Sequence, residues 1–252
     1  MIGLYPFVRC FGYRRLPLSY LVLWRYPQCF LCTPLVREGF EEECLSQFFS
    51  WVDSALQVGI MVRMTYIRGD GPFYEHLQAF ARARRRVIDE TSFERAMLQS
   101  DLDGDSYIRQ TLSNKGRREF ERQGRRLAEL GPLEVTELKA SDDIDYWIHW
   151  LLELERRGWK GRAGTALALK ENEREYYHKV ARAAYERGQL LMEMLKLAGR
   201  PIAIRCTFLT GSCSYGMKIA YDEEYGRYSP GVQLEFHVIR RALADPRIAW
   251  MD

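Results

Sequence analysis

Leu190-Leu191-Met192-Glu193-Met194-Leu195-Lys196, then Ile202-Ala203-Ile204-Arg205-Cys206-Thr207-Phe208-Leu209, then Ser214-Tyr215-Gly216-Met217-Lys218-Ile219-Ala220-Tyr221 are three apolar-rich runs. Only Gly199-Arg200-Pro201 and the Gly211 turn separate them. Runs of this length, rich in β-branched and aromatic residues and bounded by glycine turns, read as strands. Links this short join neighbours antiparallel, so the stretch reads as a three-stranded meander.

The text on either side alternates with helices. Downstream, Ser229-Pro230-Gly231 opens a helix over Val232–Leu243 with Leu234, Val238 and Leu243 inward, and Ile248–Met251 begins one more strand. Upstream, Glu173–Arg187 reads as a helix stopped by Gly188. A second helix starts from Ser141 as N-cap and runs to about Arg157, with Ile144, Trp147, Ile148, Leu151 and Leu154 on one face. Gly158-Trp159-Lys160-Gly161-Arg162-Ala163-Gly164-Thr165 is a glycine-rich basic loop between them. Leu133–Leu138 is a strand. Asp101–Leu130 is a loop and a long polar helix, ended by Gly131-Pro132.

The first hundred residues give Phe7–Phe11, Tyr20–Tyr26 and Phe30–Val36 as strands, parted by Gly12, Pro17 and Pro27. Glu41–Leu56 follows as a helix, Gly59 stops it, and Ile60–Ile67, Phe73–Arg84 and Arg85–Glu90 read as strand, helix and strand. Strands alternating with helices at these lengths predict an α/β layer structure.

Composition bounds the function. The chain has 252 residues, 47% hydrophobic and 28% charged, enough for one large domain or two modest ones. The longest apolar runs fall far short of the ~20 residues of a membrane-spanning helix. Pro6 and Arg9 interrupt any signal-like segment, so the expectation is a cytoplasmic chain. A net charge of +3 does not call for nucleic acid. The charge is uneven, however, with Asp89–Asp105 acidic and Lys115–Arg126 strongly basic. The six cysteines and four histidines form no ligand pattern, and no metal site is expected; Cys29-x-x-Cys32 lacks a second pair.

One family unites these elements. Ser113-Asn114-Lys115-Gly116-Arg117-Arg118, Gly158-Trp159-Lys160-Gly161, Arg200-Pro201-Ile202-Ala203-Ile204, Lys218-Ile219-Ala220-Tyr221-Asp222 and Tyr228-Ser229-Pro230-Gly231 occur in an order that resembles the GNAT-like acyltransferase domain of the CelD/BcsL type, related to the FemAB peptidyltransferases. The resemblance implies GNAT-like mixed sheets flanked by helices, in two parts. These are a divergent N-terminal half over 1–100 and a CelD/BcsL-type domain over 101–252, truncated at its C-terminus because the family's continuation beyond Met251 is missing. It implies acyl transfer from acyl-CoA, acetyl-CoA foremost, to an amine or hydroxyl of a saccharide or cell-envelope precursor. FemAB-like aminoacyl transfer from tRNA is the alternative, and an inert binding or scaffold fragment a third. Nucleic acid is otherwise no expected partner, and peripheral membrane contact is open through the basic helix.

The candidate site follows. A helix N-terminus offers unpaired N–H groups to an anion, so Ser229, Gly231 and Val232, with Arg227, are assigned to the donor's phosphate. The resemblance adds Lys218, Ile219, Ala220 and Tyr221 as the strand on which a backbone N–H meets the reacting carbonyl. Trp159, Lys160 and Arg162 are assigned to the acceptor. Asp222 and Glu235 are the candidate base or orienting groups, and Tyr228 the donor to the oxygen or leaving group. Cys206 or Cys213 as nucleophile would need His178 or His237 as partner. Each motif also has a plain structural reading: a Ser-capped helix, a surface loop with a buried tryptophan, and a solvated helix with internal ion pairs such as Glu121–Arg125.

Overall fold

The computed structural model describes residues 1–26, 28–54, 61–84, 87–89 and 91–252. Leu56, Gly59, Ile60 and the ends of the Arg85–Glu90 run lie outside the described residues; Val87, Ile88 and Asp89 are not in a strand. The chain divides into two compact units, Met1–Phe93 and Glu94–Asp252.

In the first unit, β1 (Gly3–Leu4) pairs antiparallel with β4 (Leu35–Val36). β2 (Phe7–Tyr13) pairs antiparallel with β3 (Leu16–Leu23), which pairs parallel with β5 (Met61–Arg63). The β2–β3 turn is made by Arg14 and Arg15, both at positive φ, and Pro17 lies inside β3 rather than before it. The Phe30–Val36 run contributes only Leu35–Val36 to a strand. Cys32 instead donates its N–H to the Tyr66 carbonyl, and Pro34 has no N–H to give. Helices α1 (Glu41–Ser54) and α2 (Pro72–Arg84) cover the sheet. Leu45, Phe48, Phe49 and Val52 recur at helical spacing and meet Leu21, Phe73, Leu77 and Phe80.

The second unit is built on a five-stranded mixed sheet in the order β10-β9-β8-β7-β6. Its chain runs α3 (Gly104–Thr111), α4 (Asn114–Ala128), β6 (Leu133–Glu137), α5 (Ile144–Arg157), the one-turn α6 (Trp159–Arg162), α7 (Glu171–Glu186), β7 (Leu190–Leu197), β8 (Arg200–Thr210), β9 (Cys213–Tyr221), α8 (Pro230–Ala244) and β10 (Trp250–Met251). The expected meander is present: β7–β8 and β8–β9 are antiparallel, as is β6–β7. β10 closes the far edge parallel to β9, with Trp250 opposite Cys213 and Met251 opposite Ser214. The long polar helix is two helices. Asp103 caps α3 through the amides of Asp105 and Ser106, and Ser113 caps α4 through that of Gly116. Asp143, not Ser141, caps α5.

Helices α5 and α7 pack on one face of this sheet, where Ile148, Leu151, Leu154, Tyr177, Met192, Met194, Ile204 and Cys206 form the largest core cluster. On the other face Leu127 of α4 and Leu234 of α8 meet Leu195, Ile202 and Ala203. Among the described residues no helix is long and apolar enough to cross a membrane.

Candidate active site

The site forms where β9 leaves its neighbour. The pairing of β8 with β9 steps from Cys206↔Lys218 to Thr207↔Gly216, so Met217 is the extra residue of a bulge. The bulge reverses the phase of the strand. Gly216 gives its N–H to the Asp252 carbonyl on the β10 side, whereas Asp222, six residues on, gives its N–H to the Ile202 carbonyl on the β8 side. In an unbroken strand an even step keeps direction. Ile219 and Tyr221 therefore turn their backbone N–H groups to the edge of β9 beyond Gly216, which pairs with no strand among the described residues.

The chain then makes a 3-10 turn over Glu223–Tyr228 and enters α8. The first amide of α8 to bond back is Gln233, to the Ser229 carbonyl at 3.0 Å. Pro230 has no N–H, so Gly231 and Val232 stand ahead of the helical ladder. Ser229 is left-handed (φ 51°, ψ 53°) and its hydroxyl caps nothing, so the ordinary Ser-capped reading does not hold. A Cβ on Gly231 would lie 3.5 Å from Tyr221 and 3.6 Å from Ile219, an ordinary contact distance. The helix end, Ile219 and Tyr221 thus share one corner, and both of these side chains are exposed.

The acidic candidates are engaged. Asp222 is 4% exposed, takes Arg200 Nη2 at 2.9 Å and caps the 3-10 turn through the Glu224 amide at 3.1 Å. Glu235 pairs with Arg205, a buried guanidinium that also donates to Thr207 Oγ1 at 3.2 Å. Burial lowers the Arg205 pKa to about 10, which leaves it charged at neutral pH. Gly216 makes room for it, since a Cβ there would lie 2.6 Å from Arg205 Nη2. Tyr228 packs among Leu127, Leu195 and Leu234, and exposed Arg227 stacks 4.7 Å over its ring.

The glycine-rich loop is clamped over the same end of β9. Glu223 accepts the Trp159 amide and Arg162 Nη2, each at 2.6 Å, and these contacts hold its carboxyl below the usual range, the Arg162 bond foremost. A Cβ on Gly161 would lie 1.7 Å from the Arg156 carbonyl oxygen, so the α5–α6 corner requires glycine. Lys160 and Lys218 both reach Glu155 Oε1, at 3.1 and 3.3 Å, while Glu155 Oε2 accepts the Leu167 amide at 2.8 Å. Burial raises the Glu155 pKa, but the Leu167 amide and the two lysines outweigh it and leave the carboxyl below its ordinary value. Lys160 and Arg162 are therefore paired within the protein, whereas Trp159 is 57% exposed rather than buried.

Glu155 and Arg205 escape a reading by motif, while Glu223, one of the acidic residues beside Asp222, is the clamp on the loop. Arg205 does carry a signal, a lone charge in an otherwise apolar run, whereas Glu155 stands among Glu153, Arg156 and Arg157 and carries none. The cysteine route finds no support in the geometry. Cys206 is fully buried with its thiol pushed up to about 12, chiefly by desolvation, and Cys213 Sγ donates to the Thr210 carbonyl. His237 is taken by Glu137 at 2.7 Å.

A bulged strand feeding a helix end beside a clamped loop is the arrangement of a GNAT-like acyl-transfer fold. The chain belongs to the acetyltransferase (GNAT) domain family, whose model matches residues 114–252. Solved structures share the fold. A protein of unknown function from Bacteroides thetaiotaomicron aligns at TM-score 0.54 and 12% identity, over 92% of this chain and 69% of that one. FemX aligns at TM-score 0.54 and 12% identity, over 100% and 75%. L-PGS from Bacillus licheniformis aligns at TM-score 0.52 and 13% identity, over 92% and 60%. A search of curated proteins found no match.

Proposed function

We propose that this chain transfers an acyl group from an activated carrier to an amine or hydroxyl, and that the carrier is an aminoacyl-tRNA rather than acyl-CoA. The phase change at Met217 carries the reading, because it sets two strand amides beside two helix amides at one open corner. In the transfer, the acceptor's nitrogen or oxygen bonds to the acyl carbon as the ester bond to the ribose breaks, and the acceptor's proton ends on the ribose oxygen. Charge grows on the carbonyl oxygen, and the Ile219 or Tyr221 N–H is the donor we assign to it. Gly231 and Val232 take the donor's terminal phosphate. Asp222 and Glu235 act as orienting anions, fixing Arg200 and Arg205, and Trp159 offers the acceptor, a saccharide or envelope precursor, a stacking surface.

Two observations favour the tRNA donor. The pyrophosphate loop of a CoA enzyme is a run of glycine amides, but here Pro230 removes one N–H and a left-handed Ser229 precedes it. The fold likeness to FemX points the same way. Titration with aminoacyl-tRNA and with coenzyme A tests the choice. Saturable binding of the former is expected, weakened about tenfold by Gly231→Ala, with unfolding free energy changed by no more than about 0.5 kcal/mol. Saturable binding of coenzyme A with none of tRNA would overturn the tRNA donor.

A further inference from the structure

Helix α4 carries Lys115, Arg118, Arg122, Arg125 and Arg126, all exposed. At about 100° per residue these five fall within one sector of about 100°, a stripe about 16 Å long. The opposite side is fixed against the unit. Leu127 is fully buried, Phe120 meets Phe236 edge-on at 5.7 Å, and Gln233 Nε2 donates to the Phe120 carbonyl at 2.9 Å. The helix cannot turn its stripe inward without breaking these contacts.

The expected internal pairing is incomplete. Glu119 takes Arg122 at 2.5 Å and Glu121 takes Arg117 at 3.1 Å, not Arg125. Among the described residues Lys115, Arg118, Arg125 and Arg126 close no ion pair. The first turn of α4 also lacks an acidic residue, although the helix dipole favours one there. Four cations outside any ion pair, of which Arg126 still feels the Glu119 carboxylate, repel one another on a rigid helix, and a polyanion relieves that repulsion. Helix α4 packs against the Glu223–Tyr228 turn and α8, the elements that carry the helix end assigned to the donor, and Arg227 of that turn is exposed.

We infer that the exposed face of α4 binds the phosphate backbone of the donor tRNA. The naming of the polyanion rests on the aminoacyl-transfer reading. A lipid surface fits less well, since a helix lying in a membrane interface buries an apolar face there, and the apolar face of α4 is spent on α8 and the sheet. Guanidinium groups dominate the stripe, and their fork matches phosphate oxygens.

The test uses the whole chain and uncharged bulk tRNA as probe, with binding followed by fluorescence anisotropy between about 50 and 200 mM salt. Each lost phosphate contact lowers the log–log salt slope by about 0.7–0.9. Replacing Arg118→Gln, Arg125→Gln and Arg126→Gln together should lower the slope by about 2–3 and weaken binding about tenfold or more. The melting temperature should hold, because all three side chains are in solvent. Unchanged slope and affinity would overturn the assignment of this face while leaving the donor reading intact. Absence of tRNA binding by the parent chain would overturn both. Capture by phosphatidylglycerol vesicles that the triple variant loses, with tRNA binding unaffected, would overturn the assignment in favour of a lipid headgroup.

Discussion

Both faces of the C-terminal sheet carry an apolar cluster, but they differ in how much charge lies between helix and strands. Toward α5 and α7 the contact is close-packed and apolar, built from Ile148, Leu151, Tyr177, Met192, Met194 and Ile204. Toward α8 the same strands present Glu193 and Arg205, and α8 answers with Arg241 and Glu235. Glu137 of β6 takes His237 and Arg241 on that side as well. Apolar burial tolerates many arrangements of similar volume. A buried ion pair tolerates few, because each charge must find its partner after losing water. The α8 face thus fixes the register of one helix against the sheet, and the start of that helix is the candidate donor site. Both faces therefore contribute apolar burial, and the α8 face adds the ion pairs that set the register of its helix.

The sharpest way to break this comparison is to remove one charge from the polar face. Arg241→Leu leaves Glu193, almost wholly buried, without its counter-charge. The expected loss is about 3–5 kcal/mol by urea unfolding, and adding Glu193→Leu should recover most of it. If the double variant stays as unstable as the single one, the pair is not the reason α8 sits where it does. A smaller loss, about 2–4 kcal/mol, is expected for Met194→Ala on the apolar face, where no second substitution of this kind restores stability. A cost below about 1 kcal/mol would mean that this face is loosely packed and the contrast false.

The mildest effect is a change in pH dependence. Glu155 is a buried charge on the apolar side, and its carboxyl lies below the ordinary value of 4.5. A lowered carboxylate contributes stability above its unfolded pKa and loses it as pH falls through the folded one. Melting temperatures should therefore drop in the parent chain below about pH 4.5, and Glu155→Gln should flatten that limb. Identical acid limbs would show that the Leu167 amide and the two lysines do not hold Glu155 below its ordinary value.

Much of the frame was legible. Gly158, Gly188, Gly211 and Gly131-Pro132 end their elements where the sequence placed the breaks, since glycine and proline act on the local backbone whatever surrounds them. The hairpin of the first unit departs from the sequence pattern for the converse reason. Arg14 and Arg15 adopt positive φ without glycine, asparagine or aspartate to announce it, and Pro17 is accommodated inside β3. Phe30–Val36 looked like a strand because it is apolar, yet it lacks alternation and contains Pro34. Within the site, Ile219, Tyr221, Gly231 and Val232 come together at one corner. Lys160, Arg162, Asp222 and Glu235 proved to be tied to protein partners, and no spacing rule covers partners that lie 5, 61, 22 and 30 residues away.

By itself the sequence determined the three-strand meander, the helices around it and the likeness to acyl-transfer domains, because strand alternation, helical periodicity and turn chemistry act over a few residues. Tertiary structure alone decided the parallel pairing of β10, the bulge at Met217 and the ion pairs of Glu155, Arg205 and Glu223. Each of these depends on which distant segment fills the space alongside, and a one-residue change of phase in a strand leaves no mark on its hydrophobic pattern until a neighbour fixes the register.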